Sequence, residues 1–431
     1  MVFIQKEFSL FAWAPFCVLR RKTMKYSVEE ILQYVNEDEV NFIQLVFCDI
    51  FGKPKNISIM PSELIRAFEY GIAIDASAVR GFGGEVHSDL FLCPEPDTLT
   101  ALPRRPEYDH GVRMFCSVKY PNGEVFENDT RYILKKAIKY AEEQGLVFSF
   151  GAEMEFYLFR LDEYGKATKE PFDSASYMDI APDDKCENVR REICLQLEQM
   201  GISPESSHHE EGPGQNEIDF RYSDALSAAD NTIAFRNVVK TVAQKNGLVA
   251  DFSPKPLDDF PGNGFHINIS AKQTDTAQDP MTFVIAGILD KISDITAFLN
   301  PSEKSYKRLG FSKAPRYISW SAENRSQLIR IPAANGEYKR AELRSPDPSA
   351  NPYLAFALLI YAGIYGVQNR IKLPEAVNMN LFTVNHTMLS SINSLPDTLK
   401  TATEITKKSD FVKQYLPELL IRAYCGKGEN E

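Results

Sequence analysis

Seven cysteines, Cys17, Cys48, Cys93, Cys116, Cys186, Cys194 and Cys425, are scattered over 431 residues, and none forms a Cys-x-x-Cys pair. An odd, unpaired set excludes a disulfide framework and a structural zinc site; reduced thiols point to a cytoplasmic setting. Basic charge is also scarce. Lys and Arg number 48 against 59 Asp and Glu, the net charge is −11 and the pI about 5.3, which gives no support to a nucleic-acid surface. The apolar run Phe8 to Leu19 is too short to cross a bilayer and is broken by Pro15. Its basic cluster Arg20-Arg21-Lys22 follows the run, the reverse of a signal peptide. Amphipathic sequence begins at Met24, so residues 1–23 read as an appended extension, with a membrane-surface anchor as the other reading. There is no internal repeat, no low-complexity segment and no phosphate-loop motif, and Gly81-Phe82-Gly83-Gly84 reads as a loop.

What is present is ordinary in bulk. Hydrophobic content of 44% and charged content of 25% fit a globular chain, long enough for two or three domains. Ser27 and Glu30 form a capping box for a helix to Tyr34. Strands are expected over Phe42–Phe47 and Asn56–Met60, around a turn at Asp49–Lys53, then a helix over Ser62–Tyr70 stopped by Gly71. Pro121-Asn122-Gly123 is a turn and a domain boundary, giving segments 24–120 and 121–431. The second segment carries expected helices at Thr130–Gln144, Asn188–Met200, Ala225–Asn246 and Pro352–Tyr365. A further helical stretch, Asp397–Ala423, is broken near Pro417, and a strand is expected at Phe148–Phe159. Strands and helices mix without βαβ alternation, so the class is α+β.

Four strand-like stretches carry polar groups at alternating positions, and alternation puts them on one face. The first is Glu153-Met154-Glu155, flanked by Phe148, Phe150, Phe156 and Phe159. Two carboxylates that close repel unless solvated or bridged by a cation. The second runs from His208-His209-Glu210-Glu211 through Gly212-Pro213-Gly214 to Glu217, a turn able to return Glu217 beside Glu210. Adjacent histidines alone are more often surface than ligand. In the third, Gly262 to Ser270, residues His266, Asn268 and Ser270 share a face. The fourth is Arg340-Ala341-Glu342-Leu343-Arg344, preceded by Arg308, Arg325 and Arg330. Carboxylates with a single imidazole favour Mg²⁺ or Mn²⁺ over zinc. Arginines beside such a cation point to phosphoryl transfer.

All four stretches resemble glutamine synthetase of the type I class, and the resemblance runs from about residue 30 to the end. Its motifs look like Glu153–Glu155, His208–Glu217, Gly262–His266 and the runs from Asn324-Arg325-Ser326 to Asn351-Pro352-Tyr353. The resemblance implies an N-terminal β-grasp domain and a C-terminal catalytic domain, whose curved antiparallel sheet is flanked by helices. It implies ATP-dependent ligation of ammonia to glutamate through a γ-glutamyl phosphate. A homo-oligomer of two stacked hexameric rings, with sites between subunits, would perform it.

By position, Glu155, Glu210 and Glu217 would hold one metal, and Glu153, His266 and Glu342 the other. Arg308, Arg330 and Arg344, with Gly262, would bind glutamate and the transferring phosphate. Arg325 and Arg340 would face ATP phosphates, and Glu205 and Ser270 would lie near the nucleotide. Asp49 would reach a neighbouring subunit's site and help deprotonate ammonium.

The sequence departs from that pattern at Lys313, which stands where the family's flap glutamate accepts a proton from ammonium. Pro261 replaces a substrate-contacting asparagine, Asp75-Ala76-Ser77-Ala78 replaces an Asp-Gly-Ser-Ser turn, and no adenylylation loop is evident near Asn378–Thr383. A cation at 313 would repel ammonium, so a γ-glutamyl ligase for another amine and a non-catalytic relative stand as alternatives. A guanidino kinase would need a reactive cysteine, and none is expected beside a polar strand face.

Overall fold

The structure is a computed structural model and describes residues 26–84, 86, 88–103, 110–274, 279–333 and 340–426. The 1–23 extension lies outside them. The first part contains α1 (Val28–Glu37), β1 (Phe42–Cys48), β2 (Pro54–Ile59), α2 (Leu64–Tyr70), β3 (Ile72–Asp75), β4 (Asp89–Pro94), β5 (Thr100–Ala101) and β6 (Gly111–Lys119). Its sheet runs β2-β1-β6-β4-β3, with β5 also on β6. β1 is parallel to β6, and the other pairs are antiparallel. The capping box forms as expected: Glu30 N donates to Ser27 Oγ at 3.1 Å and Ser27 N to Glu30 Oε2 at 2.7 Å. The expected helix at 62–70 begins as a 3₁₀ turn over Pro61–Glu63, because Pro61 fixes the entry dihedral and lacks a donor.

The second part opens with α3 (Thr130–Glu143), β7 (Leu146–Leu161), β8 (Ala167–Pro171), α4 (Glu187–Gln199), β9 (Pro204–His209) and β10 (Gln215–Asp224). Next come α5 (Ala225–Lys245), β11 (Leu248–Asp251), β12 (Phe265–Gln273), α6 (Met281–Leu299) and α7 (Glu303–Arg308). β13 (Trp320–Ala322), β14 (Ile329–Ile331), β15 (Ala341–Leu343), α8 (Pro352–Gln368) and α9 (His386–Leu389) follow. The chain closes with α10 (Leu399–Lys408), α11 (Asp410–Tyr415) and α12 (Glu418–Cys425). The 397–423 stretch is therefore three helices: it breaks at Pro417, and also at Ser409, whose hydroxyl caps α11 by accepting from Val412 N at 3.2 Å.

One sheet of nine strands, β13-β14-β15-β12-β7-β10-β9 with β8 and β11 also on β7, organises this part. It is antiparallel, as the resemblance implies, except that the edge strand β13 runs parallel to β14. The link 323–328 doubles back to allow this, with Glu323 at φ 57° and Asn324 Oδ1 accepting from Ser326 N at 3.0 Å. β7 is the axis, and its even-numbered residues Phe148, Phe150, Ala152, Met154 and Phe156 are buried. Phe150 stacks on Phe356 of α8 with centroids 4.4 Å apart. α8 crosses α6 where both carry glycine. A Cβ on Gly287 would lie 2.2 Å from Ala362 O, and one on Gly366 2.0 Å from Phe283 O.

The two parts are tied by buried polar contacts. Arg131 of α3 meets Glu95 at 2.6 Å and both oxygens of Asp230 at 2.9 Å. Burial favours the neutral Glu95 carboxyl, but Arg131 and Lys135 outweigh it and hold the group at about 2. Asn351 Nδ2 also donates to Ile50 O at 2.9 Å.

Candidate active site

With β7 as axis, strand register assembles the polar face. Glu153 sits opposite His266 of β12 on one side and Asp219 of β10 on the other. Glu155 sits opposite Glu217, which sits opposite His208 of β9. Asn268 sits opposite Glu342 of β15, which sits opposite Arg330 of β14. A period of two keeps every one of these side chains on the face away from α8. They line or adjoin a cleft of about 1010 Å³.

The contacts are short. His266 Nδ1 lies 3.4 Å from Glu153 and 3.7 Å from Glu342, and its Nε2 lies 3.9 Å from Glu155. Asn268 Nδ2 donates to Glu153 Oε1 at 2.6 Å while its Oδ1 accepts from Arg340 Nε at 2.8 Å. His208 Nε2 lies 3.0 Å from Glu210 and 3.4 Å from Glu217. Glu155 Oε2 accepts from Gly264 N at 2.8 Å and from Gln215 Nε2 at 3.0 Å. Gly264 has to be glycine: a Cβ there would meet His266 Nε2 at 2.8 Å, Arg308 Nη2 at 2.9 Å and Glu155 Oε1 at 3.1 Å. A Cβ on Gly262 would meet Pro254 O at 2.3 Å and Arg308 Cγ at 2.9 Å.

Burial and mutual repulsion crowd the carboxylates of this face. Burial raises the Glu217 carboxyl well above its usual range, and the charges of Asp219, Glu155, Glu210 and Glu153 add to it. Burial also raises Glu155 despite His266, and lifts Asp219, helped by Glu153, to about 6. Burial opposes ionisation of Glu153 and Glu210 as well. There His266, Asn268 and Arg340 for the first, and His208 for the second, outweigh it and hold both carboxyls low. Such crowding is relieved by protons or by a cation. Ligand atoms of Glu153, Glu217 and His266, and of His208, Glu210 and Glu217, lie within 4.8 Å of one another in each group. Carboxylate with imidazole suits a divalent cation. A third group, Asp173, Asp184, Cys186 and His209, is buried. Its members already have partners: His209 Nε2 meets Asp173 at 2.9 Å and its Nδ1 the Glu210 carbonyl at 2.7 Å, while Asp184 pairs with Arg190.

Arginines surround this face. Arg308 is buried, with Nη1 donating to Ser345 O at 2.8 Å and Nη2 to Arg344 O at 3.3 Å. Its Nε, and that of Arg330, are buried without a hydrogen-bond partner. Glu342 is buried between Arg330 at 2.7 Å and Arg344 at 3.1 Å, so in this structure its nearest partners are guanidiniums. Arg325, Arg330, Arg340 and Arg344 all line the cleft. A side pocket of about 200 Å³ brings Glu205, Ser270 and Arg340 together with Gly151 and Tyr222.

Asp49 is not among the cleft residues. It is buried in the β1–β2 turn, accepting from Phe51 N at 3.0 Å and Lys53 N at 2.9 Å. His208, Gln215, Asp219, Asn268 and Gly264 belong to the face without having been singled out as site residues. His208 is placed by hairpin register, which adjacent histidines do not reveal. Cys194 does line the cleft, against the expectation that no cysteine would; burial raises its thiol, so it is no ready nucleophile. Lys313 also lines the cleft, and its ammonium pairs with the Glu211 carboxylate.

A carboxylate–imidazole face ringed by arginines, with Arg308 and Arg344 buried, beside a second pocket on the same sheet, is the chemistry of an enzyme that handles phosphate with a divalent cation. Comparison with known proteins makes this specific. The family models for the glutamine synthetase β-grasp domain and catalytic domain match residues 39–121 and 127–431. The glutamine synthetase of Methanosarcina mazei is 44% identical over 416 residues, covering 93% of each chain. That of Clostridium saccharobutylicum is 42% identical over 407 residues, covering 91% of this chain and 92% of its own. Among solved structures, a GmaS–ADP complex superposes with a TM-score of 0.83 at 26% identity, covering 92% of this chain and 94% of its own. A Plasmodium falciparum glutamine synthetase gives 0.82 at 22% identity, covering 94% and 95%. The chain belongs to the glutamine synthetase family. It is a glutamate–ammonia ligase that forms glutamine with ATP and uses a divalent metal.

Proposed function

We propose that the cross-sheet row of ligands is the catalytic centre of this ligase and holds two divalent cations, Mg²⁺ or Mn²⁺. Glu155, Glu210 and Glu217, joined by His208, form one ligand set; Glu153, His266 and Glu342 form the other. The observation that carries this reading is the register that brings Glu153, Glu155, Glu217, His266 and Glu342 to one face. When bound, the cations neutralise and orient phosphate oxygens. The chain's own groups do the rest. Arg308 and Arg330, each with a buried unpartnered Nε, bind glutamate and the transferring phosphate together with Arg344 and Gly262. Arg325 and Arg340 meet the ATP phosphates, and Glu205 and Ser270 the nucleoside. The glutamate side chain is activated as an acyl phosphate, because a carboxylate resists attack by an amine, and ammonia then displaces phosphate.

Asp49 lies off its own subunit's cleft, which fits a site shared across subunits of a homo-dodecamer, where Asp49 helps deprotonate ammonium. The domain boundary falls near residue 120. Free thiols fit a cytoplasmic enzyme, and no helix of the described residues is long and apolar enough to cross a membrane.

The test is phosphate release dependent on glutamate, ammonium and a divalent cation. The reading requires Glu342→Ala to lose nearly all of it at unchanged fold. Full turnover in that variant would remove Glu342 from the centre.

A further inference from the structure

One wall of the cleft carries a charge arrangement that the ligand row does not use. Glu211 follows Glu210 directly, and its N–H donates to Glu210 Oε2 at 3.0 Å. Its carboxylate faces the cleft and pairs with Lys313, which comes from the turn after α7. That turn is held in shape: Phe311 N donates to Arg308 O at 2.9 Å, Gly310 N to Ala314 O at 3.0 Å, and Ser312 sits at φ 52°. Lys313 Nζ also lies 5.8 Å from the centroid of Tyr177, which stands edge-on to His208 at 5.5 Å. Glu211, Lys313, Tyr177 and His208 thus make one wall. Glu205, Ser270 and Tyr222 line the side pocket, and neither Glu211 nor Lys313 is part of it.

An amine must reach the activated carbonyl from a side that the nucleotide does not fill, and before reaction it is an ammonium ion that needs an anion. Three carboxylates of the ligand row are already engaged. Glu342 is taken by Arg330 and Arg344, Glu153 by Asn268 and His266, and Glu155 by Gly264 and Gln215. Glu211 is bound instead by another ammonium, that of Lys313. The lysine is the more exposed partner, with 59% of its side chain accessible against 29% for the glutamate, so it can swing to solvent while the carboxylate stays.

We propose that Glu211 is the carboxylate that receives the acceptor ammonium, and that Lys313 is its positioning residue, holding Glu211 at the wall and yielding to the incoming cation. The cation at 313 then does not leave the site repulsive, because it brings its own counter-charge. This rests on the reading of Glu210 as a metal ligand only for the location of the wall.

The experiment is steady-state kinetics on the whole enzyme with ammonium chloride, glutamate and ATP varied in turn. Glu211→Gln is expected to raise KM for ammonium by about tenfold or more, with KM for glutamate and ATP within about twofold. The double variant Glu211→Gln/Lys313→Glu returns a carboxylate to the same wall from the opposite side, and is expected to bring KM for ammonium back to within about threefold of the parent. A purely structural salt bridge would not be rescued in this way. An unchanged KM for ammonium in Glu211→Gln, an equal rise in all three KM values, or no recovery in the double variant each overturns the proposal. Glu210→Ala is measured beside them: loss of divalent-cation affinity there tests the metal assignment separately, whatever the Glu211 variants do.

Discussion

At the scale of single residues, the site is a problem of crowding. Gly264 is where it is tightest, since His266, Arg308 and Glu155 converge on the space a side chain would fill. Gly264→Ala is expected to keep the fold and lose about 100-fold in kcat/KM, because a displacement near 1 Å at a reacting centre has that effect; steady-state rates against a melting curve check it. Glu217 gives a pH signature. Its carboxyl ordinarily titrates at 4.5 and in the metal-free fold titrates well above that. A raised folded value means the fold favours the protonated acid, so its contribution to stability is present below 4.5 and is lost as pH rises through the folded value. Metal-free wild type should therefore lose stability relative to Glu217→Gln as pH rises above 4.5, and divalent cation should close the gap. Parallel stability curves without metal would contradict this. Much of the residue level was legible, because acidic and basic groups alternating with Ala341, Leu343, Met154 and Phe156 state their face in the sequence. His208 was not, because which of two adjacent histidines faces the cleft depends on pairing with Glu217. Nor was Glu211, whose meaning depends on a lysine 102 positions away.

At the scale of elements, β7 was legible because its core face is aromatic and its site face acidic, and α1 and α3 announced themselves by caps and periodicity. α6 was not, because it is apolar on nearly every side and buried along most of its length, which erases the one-sided pattern that marks a helix. The short strands β13 and β14 have three residues each, too few for a period to register, whereas the charges flanking β15 made its alternation readable. Their order in the sheet, which brings Arg330 beside Glu342, is set by tertiary pairing. α6 and α8 are held close by glycines. Gly287→Ala, whose Cβ would press on Ala362 O at 2.2 Å, is expected to cost about 1–3 kcal/mol. Urea unfolding followed by circular dichroism measures it, and a change below about 0.3 kcal/mol would show that the helices part freely.

At the scale of the whole molecule, two sheets with different jobs are joined by a buried charge network. Arg131 satisfies Glu95 of the first part and Asp230 of the second, and Tyr353 also donates to Asp230 at 2.7 Å. Arg131→Met leaves Asp230 to the Tyr353 hydroxyl and Glu95 to Lys135 and Ser117, and is expected to cost roughly 3–5 kcal/mol; a loss under about 1 kcal/mol in the same unfolding assay would show that the parts stand without it. The turn at Pro121-Asn122-Gly123 was legible, whereas this network was not, since its members are far apart in sequence and none is unusual alone. The central claim concerns the row of ligands that the larger sheet lines up, and counting bound cations tests it most directly. Mn²⁺ titration of the intact enzyme, followed by the loss of free-ion electron paramagnetic resonance signal, should give two ions per subunit, and Glu342→Ala should bind one fewer. An unchanged count and affinity in Glu342→Ala, or no Mn²⁺ bound by the parent, would contradict the account.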